Sequence, residues 1–218
     1  KEIIGDEALL GLIKNIPQEQ PKPNLFFGAV QYIATLKGHA LQNYFENPKT
    51  EEQFLRSSFE LLKEFCEDYE EELIACFQTK IVQTNEVNRA TYLYPIFSEI
   101  AQQTQSPLSL IEIGTSAGLL LNLDHYNFEV VEQEAITRFG DPNSELTLRA
   151  ENRGDSLPNL TPFTVQHRIG IDLNILDLRN EDDFWWLNAL IWPEHLERKN
   201  RLKNAREINN KIYKELHE

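Results

Sequence analysis

The chain has 218 residues, of which 41% are apolar and 26% are charged, a composition typical of globular proteins. It excludes a collagen, a coiled-coil rod and a largely disordered chain. With 35 acidic and 21 basic residues the formal net charge is −14, which disfavours nucleic acid and anionic membrane surfaces as partners. No stretch approaches the roughly 18 apolar residues of a transmembrane helix, so we expect neither nucleic acid nor a membrane as a partner.

The two cysteines, Cys66 and Cys76, fall in one predicted helical stretch. At a rise of about 1.5 Å per residue they would lie about 15 Å apart, beyond the reach of a disulfide. Reduced cysteines predict a cytoplasmic protein. Because the chain begins at Lys1 and contains no Met, we expect a fragment or a sequence that lacks modified methionines. The five histidines show no metal-ligand spacing, so we predict no metal site.

Residues 1–106 predict an all-helical N-terminal region, because their apolar positions recur with a helical period. One helix is expected to begin after an N-cap at Asn24 and to end at Gly38. Thr50-Glu51-Glu52-Gln53 is a capping-box pattern that predicts a long helix to about residue 78.

The pattern changes at Pro107, where short apolar runs begin. The first run, Leu108–Ile113, predicts a buried strand that ends in a tight glycine-containing turn, after which Leu119 begins a predicted helix. We expect further strands near residues 128–131, 146–151 and 165–173, and helix from 181 to the end. Residues 107–218 therefore predict a Rossmann-like three-layer α/β core with a β insertion at about 128–160.

The turn Gly114-Thr115-Ser116-Ala117-Gly118 is the most informative motif, and its first interpretation is a nucleotide-binding loop. Its glycines allow close backbone approach, and a helix N-terminus favours negative charge. Glu112, just before the first glycine, suits an S-adenosylmethionine enzyme, in which such a carboxylate orients the amino group of the ligand. A stricter pattern has a glycine where Ser116 stands, so a pyrophosphate fits less well than a ligand without one.

The second interpretation of the same turn is the G-x-S-x-G nucleophile elbow of an α/β-hydrolase. Ser116 would attack an acyl carbon, and His167 or His195 downstream would activate it. In that fold the nucleophile follows several strands, whereas here only helices are predicted before it. A structural turn without chemistry is the third interpretation.

A second carboxylate ends the predicted strand at Asp172, where a Rossmann-type site holds the ribose hydroxyls of its ligand. The usual acid lies about 20 residues beyond the loop. Glu132 is at that distance and competes with Asp172 for the role. A solvated acid at the end of a strand is the alternative for either residue.

Two further groups of polar and aromatic residues could line a pocket. Asn85, Glu86 and Arg89 cluster between two apolar helices, although a helix cap with solvated sides explains them equally. Trp192 and His195 could contact an adenine or a substrate, or belong to the core and the start of the last helix.

Six motifs in this order resemble a bacterial family of uncharacterised proteins with a methyltransferase-like Rossmann core: Pro23–Phe27, Gln83–Val87, Ile111–Leu119, Gly140–Pro142, Gly170–Asn174 and Trp192–His195. The resemblance implies that Gly114, Ser116 and Gly118 form the ligand loop and that Asp172 ends the second strand. It also implies that family members continue past Glu218, so that the sheet of this chain is incomplete.

The sequence thus leads to an S-adenosylmethionine-dependent methyltransferase of a small molecule or a protein as the first hypothesis. Glu112 would orient the amino group, the backbone of the turn with Thr115 would hold the amino-acid portion, and Asp172 would bind the ribose. A non-catalytic Rossmann-like binding or regulatory protein is the second hypothesis, and a serine hydrolase that uses Ser116 is the third.

Overall fold

The computed structural model describes residues 3–46, 52–132, 135–154, 157 and 160–218, with the side chains of 52–56 left aside. The α-helices are α1 (Glu7–Ile13), α2 (Lys22–Lys37), α3 (Gln42–Glu46), α4 (Glu52–Asp68), α5 (Glu70–Thr79), α6 (Ala90–Thr104), α7 (Glu181–Ala189) and α8 (Leu196–Asn209). The strands are β1 (Leu108–Ile113), β2 (Asn127–Glu132), β3 (Ala135–Gly140), β4 (Thr147–Asn152), β5 (Val165–Ile171) and β6 (Glu215–His217).

The chain forms two compact units. The helical unit comprises Lys1–Thr84 and Asp182–Leu196, and the mixed unit comprises Asn85–Glu181 and Glu197–Glu218. The α/β class is confirmed, whereas the boundary at residue 106 stays a prediction.

Aromatic side chains fill the core of the helical unit. Trp186 is fully buried, and its Nε1 donates a hydrogen bond to the carbonyl oxygen of Ile81 at 2.9 Å. Gly28 of α2 packs so closely on α7 and the residues after it that an added Cβ would lie 2.9 Å from Leu190. The largest fully buried rings around this core are Phe26, Phe65 and Phe77.

The helix boundaries correct two expectations in the helical unit and confirm a third. Helix α2 begins at Lys22 rather than after Asn24, because Pro23 fits the first turn, where its missing N–H has no helical acceptor. The predicted end at Gly38 is confirmed, with φ at +62°. The long predicted helix breaks at Tyr69, whose φ and ψ of −119° and 27° are not helical. The capping box at 50–53 begins outside the described residues.

The mixed unit contains two three-stranded sheets. One has the order β1-β5-β6 with all strands parallel, and the other has the order β3-β2-β4. In the second sheet β2 pairs antiparallel with β3 and parallel with β4. The sequence did not predict β3, and helix to the chain end is wrong, because Glu215–His217 pairs with β5 instead.

The ends of β1 and β5 lie side by side, since Ile113 pairs with Ile171. This register brings the residues after each strand together at one edge of the sheet. The helix expected after the turn is a 3-10 helix, Leu120–His125, in which Asn122 has a non-helical backbone.

Candidate functional site

The glycine-containing turn between β1 and the 3-10 segment is held against the end of β5. The backbone N–H groups of Gly114 and Thr115 both donate to the carbonyl oxygen of Ile171, at 2.8 and 3.3 Å. Gly114, Ser116 and Gly118 have φ values of +81°, +52° and +69°. Only Ser116 among them has a Cβ, and this conformation costs a non-glycine residue about 1–2 kcal/mol. The turn is thus a strained, well-anchored feature.

The two predicted carboxylates both bind this turn. Glu112, near the end of β1, accepts a hydrogen bond from Thr115 Oγ1 at 2.7 Å. Asp172, directly after β5, accepts from the backbone N–H of Ser116 at 2.7 Å and from that of Asn174 at 3.1 Å. The structure therefore brings together Glu112, the turn and Asp172, as the sequence hypothesis requires.

The pKa of Glu112 reflects the burial and the charges at this edge of the sheet. Burial raises the pKa of its carboxyl group, while the hydrogen bond from Thr115 and the positive charge of Arg89 lower that pKa. The negative charge of Asp172 raises it again. Glu112 is thus half-buried beside a second acid, an arrangement that a cationic group on a ligand would stabilise.

Each of the two strand ends also presents an exposed aliphatic side chain. Ile113 follows Glu112 and is 85% exposed, and Leu173 follows Asp172 and is 98% exposed. Gly114 has open space where a Cβ would lie. A ligand could reach the backbone here and cover apolar surface at the same time.

The predicted cluster before α6 lies in the same unit and is held by α8. Glu86 accepts from the backbone N–H of Asn88 at 3.1 Å and caps a short 3-10 helix. Its carboxylate lies 2.5 Å from Arg198 Nε and 3.7 Å from Arg201 Nη2. Glu86 is therefore engaged by two guanidinium groups. Asn85 Nδ2 is buried with no hydrogen-bond partner among the described atoms.

Sequence reasoning missed Arg198 and Arg201. Their spacing of three places both on one face of α8, which was the available signal. The basic residues around them made that face indistinguishable from a solvated one.

Trp192 and His195 belong to the helical unit. The Trp192 ring packs 5.7 Å from the Phe27 ring, and the His195 N–H donates to the carbonyl oxygen of Trp192 at 2.9 Å. Their role in a pocket stays a prediction.

Glu132, the competing acid, holds the second sheet together. It accepts hydrogen bonds from Thr137 Oγ1 at 2.8 Å, Asn152 Nδ2 at 2.9 Å and the Leu157 N–H at 3.0 Å. These bonds, the one from Leu157 above all, lower the pKa of its carboxyl group. Its oxygens thus have structural partners.

Ser116 does not have the surroundings of an activated nucleophile. Its side chain is buried, and no described atom accepts from or donates to its Oγ.

Both cysteines are free and buried, and burial raises the pKa of each thiol to about 12.

Among the described residues, no group of three or more His, Cys, Asp or Glu side chains is arranged to hold a metal ion. Within the same ranges, no helix has the length and apolar character needed to span a membrane.

Comparison with known proteins identifies one family. The sequence model of the bacterial family described as "Uncharacterized protein conserved in bacteria (DUF2332)" matches residues 1–218, so the chain belongs to this family. No curated protein and no solved structure matches the chain.

Proposed function

We propose that this DUF2332 protein binds S-adenosylmethionine at the ends of β1 and β5 and acts as a methyltransferase on a small-molecule or protein substrate. One observation carries the proposal: Glu112 and Asp172 end neighbouring parallel strands and both bind the same glycine turn. The parallel order β1-β5-β6 also agrees with the 3-2-1 order in one half of a Rossmann sheet.

The donor set fits this cofactor chemically. S-adenosylmethionine carries an ammonium group and a sulfonium group, and Glu112 beside Asp172 offers negative charge to them. Arg89, whose charge already acts on Glu112, would attract the carboxylate of the ligand. The carboxylate of Asp172 is a hydrogen-bond acceptor, to which ribose hydroxyls would donate. Ile113 and Leu173 would cover its apolar parts.

The bound cofactor would supply an electrophilic methyl group. The residues of this chain would contribute position and exclusion of water, because methyl transfer depends mainly on the alignment of donor and acceptor. Glu86 is not assigned as a general base, since two arginines already engage its carboxylate.

The test is calorimetric titration of the protein with S-adenosylhomocysteine. We expect micromolar binding that Asp172→Ala and Glu112→Gln each weaken at least tenfold, about 1.4 kcal/mol. Asp172→Asn removes the charge but keeps a side-chain oxygen for the Ser116 N–H. It therefore separates the effect of the charge from the effect of the hydrogen bond that holds the turn. Glu132→Gln is the matched control, because it removes an acid at the competing position, and it should bind normally.

Equal binding by the wild type and the Asp172 variants would keep the cofactor and move the ribose contact elsewhere. Absence of heat from folded protein would contradict the proposal and favour a non-catalytic binding or regulatory protein.

The hydrolase alternative has one favourable observation, the left-handed backbone of Ser116, which a nucleophile elbow shares. Labelling of Ser116 by a fluorophosphonate would support it. We expect no labelling, because the buried Oγ lacks an activating partner.

A further inference from the structure

A cavity within the mixed unit adjoins the glycine turn at Ala117. It is bounded by residues 175–179, which follow β5, and by residues 209–214, which precede β6. Its lining combines aliphatic side chains, among them Ile175 and Ile212, with the cationic side chains of Arg179, Lys211 and Lys214. A cationic cavity is unusual in a chain whose net charge is −14.

Lys214 is the central cation of this cavity. Its Nζ donates to Asn209 Oδ1 at 2.5 Å and approaches the Asn209 carbonyl oxygen at 3.4 Å. Asn209 Oδ1 is fixed in turn by Asn122 Nδ2 at 2.8 Å. The stem of Lys214 packs over Gly118, where a Cβ would lie 3.0 Å from Cδ. Neutral oxygens therefore position a half-buried ammonium group.

In the described part of the mixed unit, Asp177 is the acid whose charge acts on this ammonium group. Burial lowers the pKa of Lys214 to about 8, and the charges of Arg168 and Arg179 lower it as well. Asp177 opposes this effect, but its carboxylate is already bound by Arg179, with Nε–Oδ1 at 2.9 Å and Nη2–Oδ2 at 2.8 Å. An anion in the cavity would supply the missing charge.

We propose that this cavity binds an organic anion, whose carboxylate contacts Lys214 and whose apolar body lies against Ile175 and Ile212. The aliphatic lining favours such a ligand over a free inorganic anion, which has no apolar surface to bury. The cavity adjoins the proposed cofactor loop at Ala117 and Gly118 but is not lined by Glu112 or Asp172, and its test does not depend on S-adenosylmethionine binding.

The test measures the reaction of single lysines of the intact protein with acetic anhydride at pH 8. In this reaction the neutral amine attacks the anhydride, acetate leaves, and the amine loses a proton. Benzoate serves as an organic anion and inorganic phosphate as the comparison, both at constant ionic strength. Because a bound carboxylate would cover the amine and favour its protonated form, we expect benzoate to slow acetylation of Lys214 about tenfold. Exposed Lys203, which does not line the cavity, should change little, as read by peptide mass spectrometry.

Two arginine variants provide a matched pair. Arg179 and Arg153 each bind the acid two residues earlier through two guanidinium nitrogens, Arg179 at both oxygens of Asp177 and Arg153 at one oxygen of Glu151. Arg179→Gln should raise the dissociation constant of benzoate about three- to tenfold, since it removes a cavity cation that also binds Asp177. Arg153→Gln should leave it unchanged, and Lys214→Met should abolish the binding.

Three results would overturn the proposal. The first is acetylation of Lys214 that benzoate leaves unchanged. The second is stronger protection by phosphate than by benzoate, and the third is an equal effect of the two arginine variants. Titration with S-adenosylhomocysteine in the same samples reports on the proposed cofactor site separately.

Discussion

The two units differ in how they treat polar groups in their interiors. In the helical unit, buried Gln31 donates to the carbonyl oxygen of Ala189 at 2.8 Å, and the hydroxyl of Tyr32 donates to Asp182. Arg198 Nε forms an ion pair with Glu86, and the other buried side-chain atoms without a hydrogen-bond partner among the described residues all lie in the mixed unit: Asn85 Nδ2, Asn88 Oδ1, Ser116 Oγ, Asn122 Oδ1, Asp124 Oδ1 and Arg201 Nε. Unsatisfied buried groups lower stability and are typical of ligand sites. The mixed unit therefore bears a desolvation cost that the described part of the helical unit does not.

The largest effect is expected from Trp186→Ala in the helical unit. The substitution removes a fully buried ring and its hydrogen bond to Ile81, so it should lower the free energy of unfolding by about 3–5 kcal/mol. Urea denaturation followed by circular dichroism measures this loss. Trp185→Ala is the control, because its half-buried ring should cost clearly less. Equal losses in the two variants would contradict the assignment of Trp186 as the core of this unit.

A smaller effect, dependent on pH, is expected from Lys214→Met in the mixed unit. Below pH 8 the folded and unfolded states both hold the proton of Lys214, and the folded state bears the cost of a buried charge. Between pH 8 and 10.5 the unfolded state binds more protons, so this lysine makes the free energy of unfolding rise with pH.

Between pH 7 and pH 10, the free energy of unfolding of the wild type should therefore rise by about 2 kcal/mol relative to that of Lys214→Met, allowing for the partial exposure of the amine. Urea denaturation at several pH values measures the gap, and the titration of other groups cancels in the difference. Lys211→Met, at an exposed lysine three residues earlier, is measured in the same way as a test of specificity. If the difference in free energy of unfolding between the wild type and Lys214→Met did not change with pH, burial would not perturb the pKa of this amine.

The parts of the fold that local sequence determines could be predicted. The apolar run of β1, the glycines after it and the acid after β5 identified the carboxylate pair, because strand ends and turns have short-range signals. Strand β6 has only three residues, and its pairing with β5 rather than its own propensity determines it.

Side chains that are far apart in the sequence could not be predicted to meet, because only helix packing and strand pairing bring them together. Arg198 and Arg201 are far from Glu86 in the sequence, and only the packing of α8 brings them to its carboxylate. The cavity around Lys214 likewise depends on two segments that meet through the pairing of β5 and β6.

The smallest effect is expected from Ser116→Gly, which would increase stability by about 1 kcal/mol. Glycine removes the strain of a left-handed backbone and the desolvated Oγ, although it also increases the entropy of the unfolded chain. Gln105→Gly is the matched control, since Gln105 has a similar φ of +50° but an exposed side chain. The gain in stability from Gln105→Gly should be smaller by the contribution of the buried hydroxyl.

Binding of S-adenosylhomocysteine should survive Ser116→Gly, because only the backbone N–H of this residue meets Asp172. If the substitution instead destabilised the protein or abolished binding, the hydroxyl would have a partner or a role that the turn geometry does not reveal.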